Sequence, residues 1–227
     1  MNKLYLKCLI GLFFFCGALT VLSQEKINNY DENGKRTGVW VKYYPNNNIR
    51  YQGQFEAGKE VGVFKFYSMV NSKHPIIIKT FSTDTDIAKV VFYTEDGVMK
   101  SQGEMKKELR VGKWLYYQKN GKTIISEENY SNGLLDGIAK TYYITGKTTE
   151  ILFYKNGKLH GDIQRFSDQG VLLDDLKYVD GKLEGLAHYY NTFGKLNATG
   201  RYKNGEKIGD WEYFENGEKV SKKSEKY

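Results

Sequence analysis

Residues 112–137 read GKWLYYQKNGKTIISEENYSNGLLDG. Aromatic and β-branched residues flank Asn120-Gly121, a pair that supplies the positive backbone φ a tight turn requires. The passage therefore predicts a β-hairpin, with an outgoing strand over 112–117, a turn over 118–121 and a returning strand over 122–130. Asn132-Gly133 then turns the chain toward Gly137, where the same pattern begins again.

This passage is one copy of a unit of about 24 residues, Gly-x-x-x-Gly-x-apolar-x-x-aromatic, present eight times. Its second glycine, the anchor, falls at Gly38, Gly62, Gly112, Gly137, Gly161, Gly185 and Gly209, with Ala88 in the third copy. Two residues past the anchor stand Trp40, Phe64, Val90, Trp114, Ala139, Ile163, Ala187 and Trp211, all apolar and including every tryptophan in the chain. Five residues past it stand Tyr43, Tyr67, Tyr93, Tyr117, Tyr142, Phe166, Tyr190 and Phe214. Seven residues before the next anchor the chain places Phe55, Phe81, Met105, Tyr130, Tyr154, Tyr178 and Tyr202. Columns this regular identify a repeat array in which each unit buries its rings against its neighbours.

The expected fold is all-β: an elongated array of about eight hairpins forming a twisted antiparallel meander. Helical periodicity is missing, so no helix is expected in the array. At about 4.8 Å per strand, sixteen strands give a ribbon on the order of 75 Å. Strict alternation puts residues two and four past the anchor on one face and the residue five past it on the other, unless a bulge reverses the pleat. The sequence alone leaves both arrangements open. Asp84, Ala88 and Glu108 replace glycines of the unit, so turn geometry there is expected to depart from the pattern.

Ahead of the array, Lys3 and Lys7 precede an apolar run from Cys8 to Leu22 that ends at Ser23. This is the pattern of a secretory signal peptide over 1–23, too short for the ~20 apolar residues of a spanning helix. The repeat domain then covers 24–220 and a charged tail 221–227. Export to the periplasm, the outer cell envelope or the extracellular space follows as an expectation. Both cysteines, Cys8 and Cys16, lie in the leader, so the processed array relies on packing and backbone pairing and offers no thiolate.

Little in the array resembles catalytic chemistry. His160 and His188 occupy variable repeat positions and His74 precedes Pro75, which reads as surface variation. Asp84-Thr85-Asp86 and Asp174-Asp175 lack the graded oxygen ligands of a calcium loop and read as solvated turns. The recurrent glycines have no strand-to-helix phosphate signature. We therefore expect no enzyme activity, no cofactor and no metal site.

The stretches YKNGEKIGDWEYF over 202–214 and YKNGKLHG over 154–161 resemble the MORN-repeat variant, a family whose bacterial members are often labelled YwqK-type antitoxins. The resemblance runs from about Tyr30 to Gly217 and implies a hairpin array. It implies scaffolding, dimerisation or contact with acidic lipids on one side, and neutralisation of a partner toxin on the other. Two aromatic ladders are the candidate binding surface: Tyr117, Tyr142, Phe166 and Tyr190, or Tyr130, Tyr154, Tyr178 and Tyr202. Lysines mark both edges, Lys35, Lys59, Lys158 and Lys182 on one and Lys122, Lys147 and Lys195 on the other. They suit guarding of sheet margins, or contact with an anionic membrane or glycan. The net charge is +7 and acids such as Glu184, Asp210 and Glu215 interrupt the basic edges, which argues against nucleic acid. A protein partner or a second copy is the expected ligand.

Overall fold

A computed structural model describes residues 26–82 and 84–220. The expected leader over 1–23 and tail over 221–227 lie outside the described residues. Within them, twenty strands form one open antiparallel meander, with no helix among the described residues. Leu109–Tyr117 pairs with Ile124–Ser131, which pairs in turn with Leu134–Leu135 and Gly137–Tyr142. Neighbours in the sheet follow one another in sequence or are separated by one two-residue strand, as at the next step from Thr148–Lys155 to Gly161–Phe166. Each hairpin is thus held by the copies on either side of it.

The two edges of the ribbon close differently. One edge uses two-residue turns with both central residues left-handed, such as Asn132 (φ 50°) and Gly133 (φ 82°), or Asn156 (φ 50°) and Gly157 (φ 80°). This is the geometry that favours Asn-Gly. The other edge uses longer turns, such as the one in which Gly146 N–H donates to the Tyr143 carbonyl at 2.9 Å and Tyr143 N–H to the Lys147 carbonyl at 2.8 Å. Asn33, Asp96 and Asn120 sit in turns of this longer kind, where the glycine alone takes a positive φ. Where Glu108 stands in place of a turn glycine, the left-handed residue is Lys107 (φ 57°). Ala88 pairs straight with Phe81 and Met105, whereas the anchor glycines kink their strands, as at Gly112 (φ 63°).

A bulge falls at the same point in seven hairpins, just before the residue five past the anchor. Tyr116 pairs with Ser126 and Tyr117 with Ile124, so the extra residue, Ile125, belongs to the returning strand. The outgoing strand keeps its alternation. Residues two and four past the anchor share one face, and the residue five past it lies on the opposite face.

One face holds the core. Across it runs a transverse row in which Trp40 is opposite Gly53, Phe64 opposite Lys79, Val90 opposite Gly103 and Trp114 opposite Glu128. The row continues with Ala139 opposite Leu152, Ile163 opposite Leu176 and Ala187 opposite Gly200. Size compensates along it: the rings of Phe64, Trp114 and Trp211 lie on Gly53, Gly103 and Gly200, where any Cβ would sit under 3.0 Å from the ring. Phe64 and Trp114 are fully buried although the sheet is a single layer, because their own and neighbouring side chains cover them. Arg110 Cζ lies 4.7 Å from the Trp114 ring centre, Arg36 Cζ 5.0 Å from Trp40 and Lys207 Nζ 4.3 Å from Trp211. These cation–π caps are replaced by Leu159 and Leu183 in copies where a smaller residue stands two past the anchor. Phe55, Phe81, Tyr130 and Tyr202 close the row at one side with edge-on ring contacts.

Candidate binding surface

The two aromatic ladders lie on opposite faces. Tyr130, Tyr154, Tyr178 and Tyr202, seven before the anchor, share the core face. Tyr130 packs on Trp114 with ring centres 6.5 Å apart, and its hydroxyl takes part in a chain: it donates to Glu128 Oε2 at 2.5 Å, lies 3.1 Å from the Tyr116 hydroxyl and accepts from Arg110 at 3.3 Å. Burial, with the Glu128 carboxylate beside them, raises both the Tyr116 and Tyr130 hydroxyls above the usual tyrosine range. Tyr202 repeats the motif, 3.2 Å from the Tyr189 hydroxyl and 5.1 Å from the Trp211 ring centre.

Tyr117, Tyr142, Phe166 and Tyr190 lie on the other, open face, and all four are half-buried. Gln102, which shares that face, donates to the Tyr117 hydroxyl at 2.6 Å. His188 stacks on Tyr190 with ring centres 6.2 Å apart. Burial and the neighbouring Glu127 carboxylate raise the Tyr142 hydroxyl. Beside this ladder the position one past the anchor brings up Val63, Ile138 and Leu186, exposed by 49%, 44% and 46%, and the returning strand adds Phe153 at 40%. Three shallow grooves lie along this face, lined by Val39, Val41 and Val63, by Val91 and Leu115, and by Ile138, Ile151 and Phe153. Their volumes of 420, 530 and 440 Å³ are similar because repeat-equivalent positions build them.

The lysines fall on the ribbon's two edges, and Lys35, Lys59, Lys158, Lys182, Lys122, Lys147 and Lys195 are all exposed. Lys195 Nζ donates to the Asn216 carbonyl at 3.2 Å, tying two copies together. Acidic and histidine side chains do the same at the edge carrying Lys158 and Lys182. Asp136 accepts Asn156 N–H at 3.0 Å and Glu184 accepts Asn204 N–H at 2.9 Å. His160 Nδ1 lies 3.5 Å from Asp180 N in the same relation, so in these three copies the residue before the anchor reaches the next copy's turn. His160 thus occupies a variable surface position, in long-range contact with the neighbouring turn. Asp174-Asp175 is a correction: the pair lies within Leu172–Val179, not in a turn, and Asp174 pairs with Arg165 at 3.1 Å. Asp86 pairs with Lys106 at 2.9 Å, which holds its carboxyl below the usual range.

Among the described residues no group of His, Cys, Asp or Glu gathers at metal-ligand spacing. The covering roles of Arg36, Arg110 and Lys207 and the ring seats Gly53, Gly103 and Gly200 were missed in the sequence. Their signal was present: a basic residue precedes each tryptophan by four positions, and a glycine precedes Phe64, Trp114 and Trp211 by eleven.

Two hairpin units of this geometry also carry a family signature. The MORN repeat variant model matches residues 36–57 and 135–156. The first segment holds Trp40 with its Arg36 cap and the second Ala139 with Leu135 in the same place, so the match spans both forms of the core. A search of curated proteins found no match. The repeat match supports a module that serves by binding.

Proposed function

We propose that this is a non-enzymatic, exported repeat protein acting as a protein-binding scaffold at the cell envelope or outside the cell. The observation that carries the reading is the division of labour between the two sheet faces. One face is covered by its own arginines, lysines, leucines and tyrosines, and the other presents the half-buried ladder Tyr117, Tyr142, Phe166 and Tyr190 beside exposed Val63, Ile138, Phe153 and Leu186, interspersed with charged residues and with no second layer among the described residues. Aromatic and apolar side chains gathered on one uncovered sheet face among charged residues mark an interaction surface, and edge lysines keep that face soluble. The leader pattern over 1–23 supports export.

The test is capture of protein partners from the native host by the tagged protein and by its Tyr142→Ser/Tyr190→Ser variant. The reading expects discrete partners that the variant loses while its circular dichroism and thermal midpoint stay near wild type. Equal capture by a folded variant refutes it.

A further inference from the structure

We propose that the last long strand of the sheet binds an extended segment of a partner protein, added antiparallel along Glu206–Glu212, with basic residues alternating with an acid and a tyrosine. This surface is an edge, separate from the open face, and the inference goes beyond the reading above. The short strand Glu218–Val220 covers only Tyr213, Phe214 and Glu215, so residues 206–212 have no outer neighbour among the described residues. Such a run presents unpaired backbone N–H and C=O groups, which is what strand addition requires.

The side chains show the same gap. Trp40 and Trp114 are buried, whereas Trp211 is half-buried and Ile208 is 41% exposed. Trp40, Phe64 and Trp114 each receive an edge-on ring from their own returning strand, in Phe55, Phe81 and Tyr130. Trp211 has the edge-on ring of Tyr202 from the strand before it, and among the described residues no ring on its outer side. In the register that sets Val220 opposite Tyr213, the residue falling opposite Gly209 is Ser224, which brings no ring.

The copy containing Trp114 shows what fits, because Arg110, Trp114 and Tyr116 hold the positions of Lys207, Trp211 and Tyr213. Its returning strand sets Tyr130 opposite Gly112, Asn129 opposite Lys113 and Glu128 opposite Trp114. The Tyr130 hydroxyl lies 3.1 Å from that of Tyr116, accepts from Arg110 at 3.3 Å and donates to Glu128 at 2.5 Å. On the last strand, Lys207 Nζ lies 4.3 Å from the Trp211 ring centre and 6.0 Å from that of Tyr213, so the cation of this group is in place. A partner tyrosine opposite Gly209 then packs on the bare side of Trp211 and meets Tyr213 and Lys207, with an acid two residues earlier opposite Trp211. On the other face Asp210 and Glu212 stand where that copy has Lys113 and Leu115, so the partner residues facing them are basic. Opposite residues 212 to 209 the segment reads Lys-Glu-Lys-Tyr. Glu212 already pairs with Lys219 at 2.6 Å, which leaves exposed Asp210 as the selecting charge.

The experiment is fluorescence anisotropy of a labelled peptide, Thr-Lys-Glu-Lys-Tyr-Thr-Val, titrated with the full chain. Saturable binding is expected, weakened about tenfold or more when serine replaces the peptide tyrosine. Asp210→Lys should weaken binding by a similar factor, and a peptide with glutamate in place of its second lysine should bind Asp210→Lys and not wild type. Because Asp210 is exposed, this exchange of charge reads the edge without touching the core. Tyr142→Ser/Tyr190→Ser, on the open face, should bind the peptide as wild type does, so loss of the peptide and loss of host partners by that variant are separate results. Absence of saturable binding, or binding indifferent to the tyrosine and to the charge exchange, overturns the proposal. Binding that appears only when residues 221–227 are replaced by a glycine-serine sequence assigns the edge to the chain's own tail and overturns the partner.

Discussion

Replacing Gly103 by alanine adds one methyl group to a strand, a change that ordinarily favours a strand by about 0.5 to 1 kcal/mol. Here it is expected to destabilise. The new Cβ would sit under 3.0 Å from the Trp114 ring, which is fully buried and cannot yield without leaving its seat. Overpacking of this kind costs about 1–3 kcal/mol. Lifting the ring also weakens the Arg110 cap at 4.7 Å and the indole N–H bond to the Glu104 carbonyl at 3.1 Å, each contributing about 1 kcal/mol. The net expectation is a loss of about 2–4 kcal/mol. Gly112→Ala is the comparison, since its Cβ would meet only Glu104 Oε2 at 3.6 Å and its cost is backbone strain of about 1–2 kcal/mol. Urea unfolding followed by tryptophan fluorescence gives both values, and the same measurement on Trp114→Val with and without Gly103→Ala gives their coupling. Adding Gly103→Ala to Trp114→Val should cost little, because the ring it collides with is gone. If Gly103→Ala matches wild type, or if the two changes simply add, the ring-on-glycine reading of the core is wrong.

Other consequences follow from the same packing. Arg110→Leu should be tolerated within about 1 kcal/mol, since leucine caps other copies, while Arg110→Ala should cost more, read as the shift in urea midpoint. Gly161→Val should lower stability by about 1–3 kcal/mol, because Gly161 has a φ of 100° and Phe153 lies beside it. His160→Ala removes only a 3.5 Å contact to an exposed turn and should shift the thermal midpoint far less. Stability should depend on alkaline pH. The Tyr116 and Tyr130 hydroxyls are raised in the folded state, chiefly by burial, so the folded chain holds protons that the unfolded chain releases near pH 10. Their contribution is complete below about pH 10 and is lost as the pH rises above it, so the urea midpoint should fall from pH 10 upward and fall less steeply in Tyr116→Phe.

The hairpins, their phase and the identity of the columns were legible in the sequence because each copy repeats the same constraints on φ and on ring burial. The face assignment was not. Whether Tyr117 lies with Trp114 or against it depends on which strand takes the extra residue of a bulge, and nothing in a single copy distinguishes Ile125 in the returning strand from a shift in the outgoing one. The two kinds of turn were also merged, because Asn120-Gly121 and Asn132-Gly133 look alike although only the second has both residues left-handed. His160 looked idle because its contact is with Asp180 N, in the next copy. The candidate surface was half legible: both ladders were visible, but only their places in the sheet separate a ladder tied to buried tryptophans from one facing the open side.

If one face holds the fold together and the other is free to bind, two double variants compared by urea unfolding should separate. Tyr154→Ser/Tyr178→Ser, on the core face, should lower the midpoint steeply. Tyr142→Ser/Tyr190→Ser, on the open face, should leave a monomeric sample within about 1 kcal/mol of its parent, the range of ordinary surface changes. Equal losses for the two pairs, or the reverse order, would contradict the assignment of core and binding surface to opposite faces.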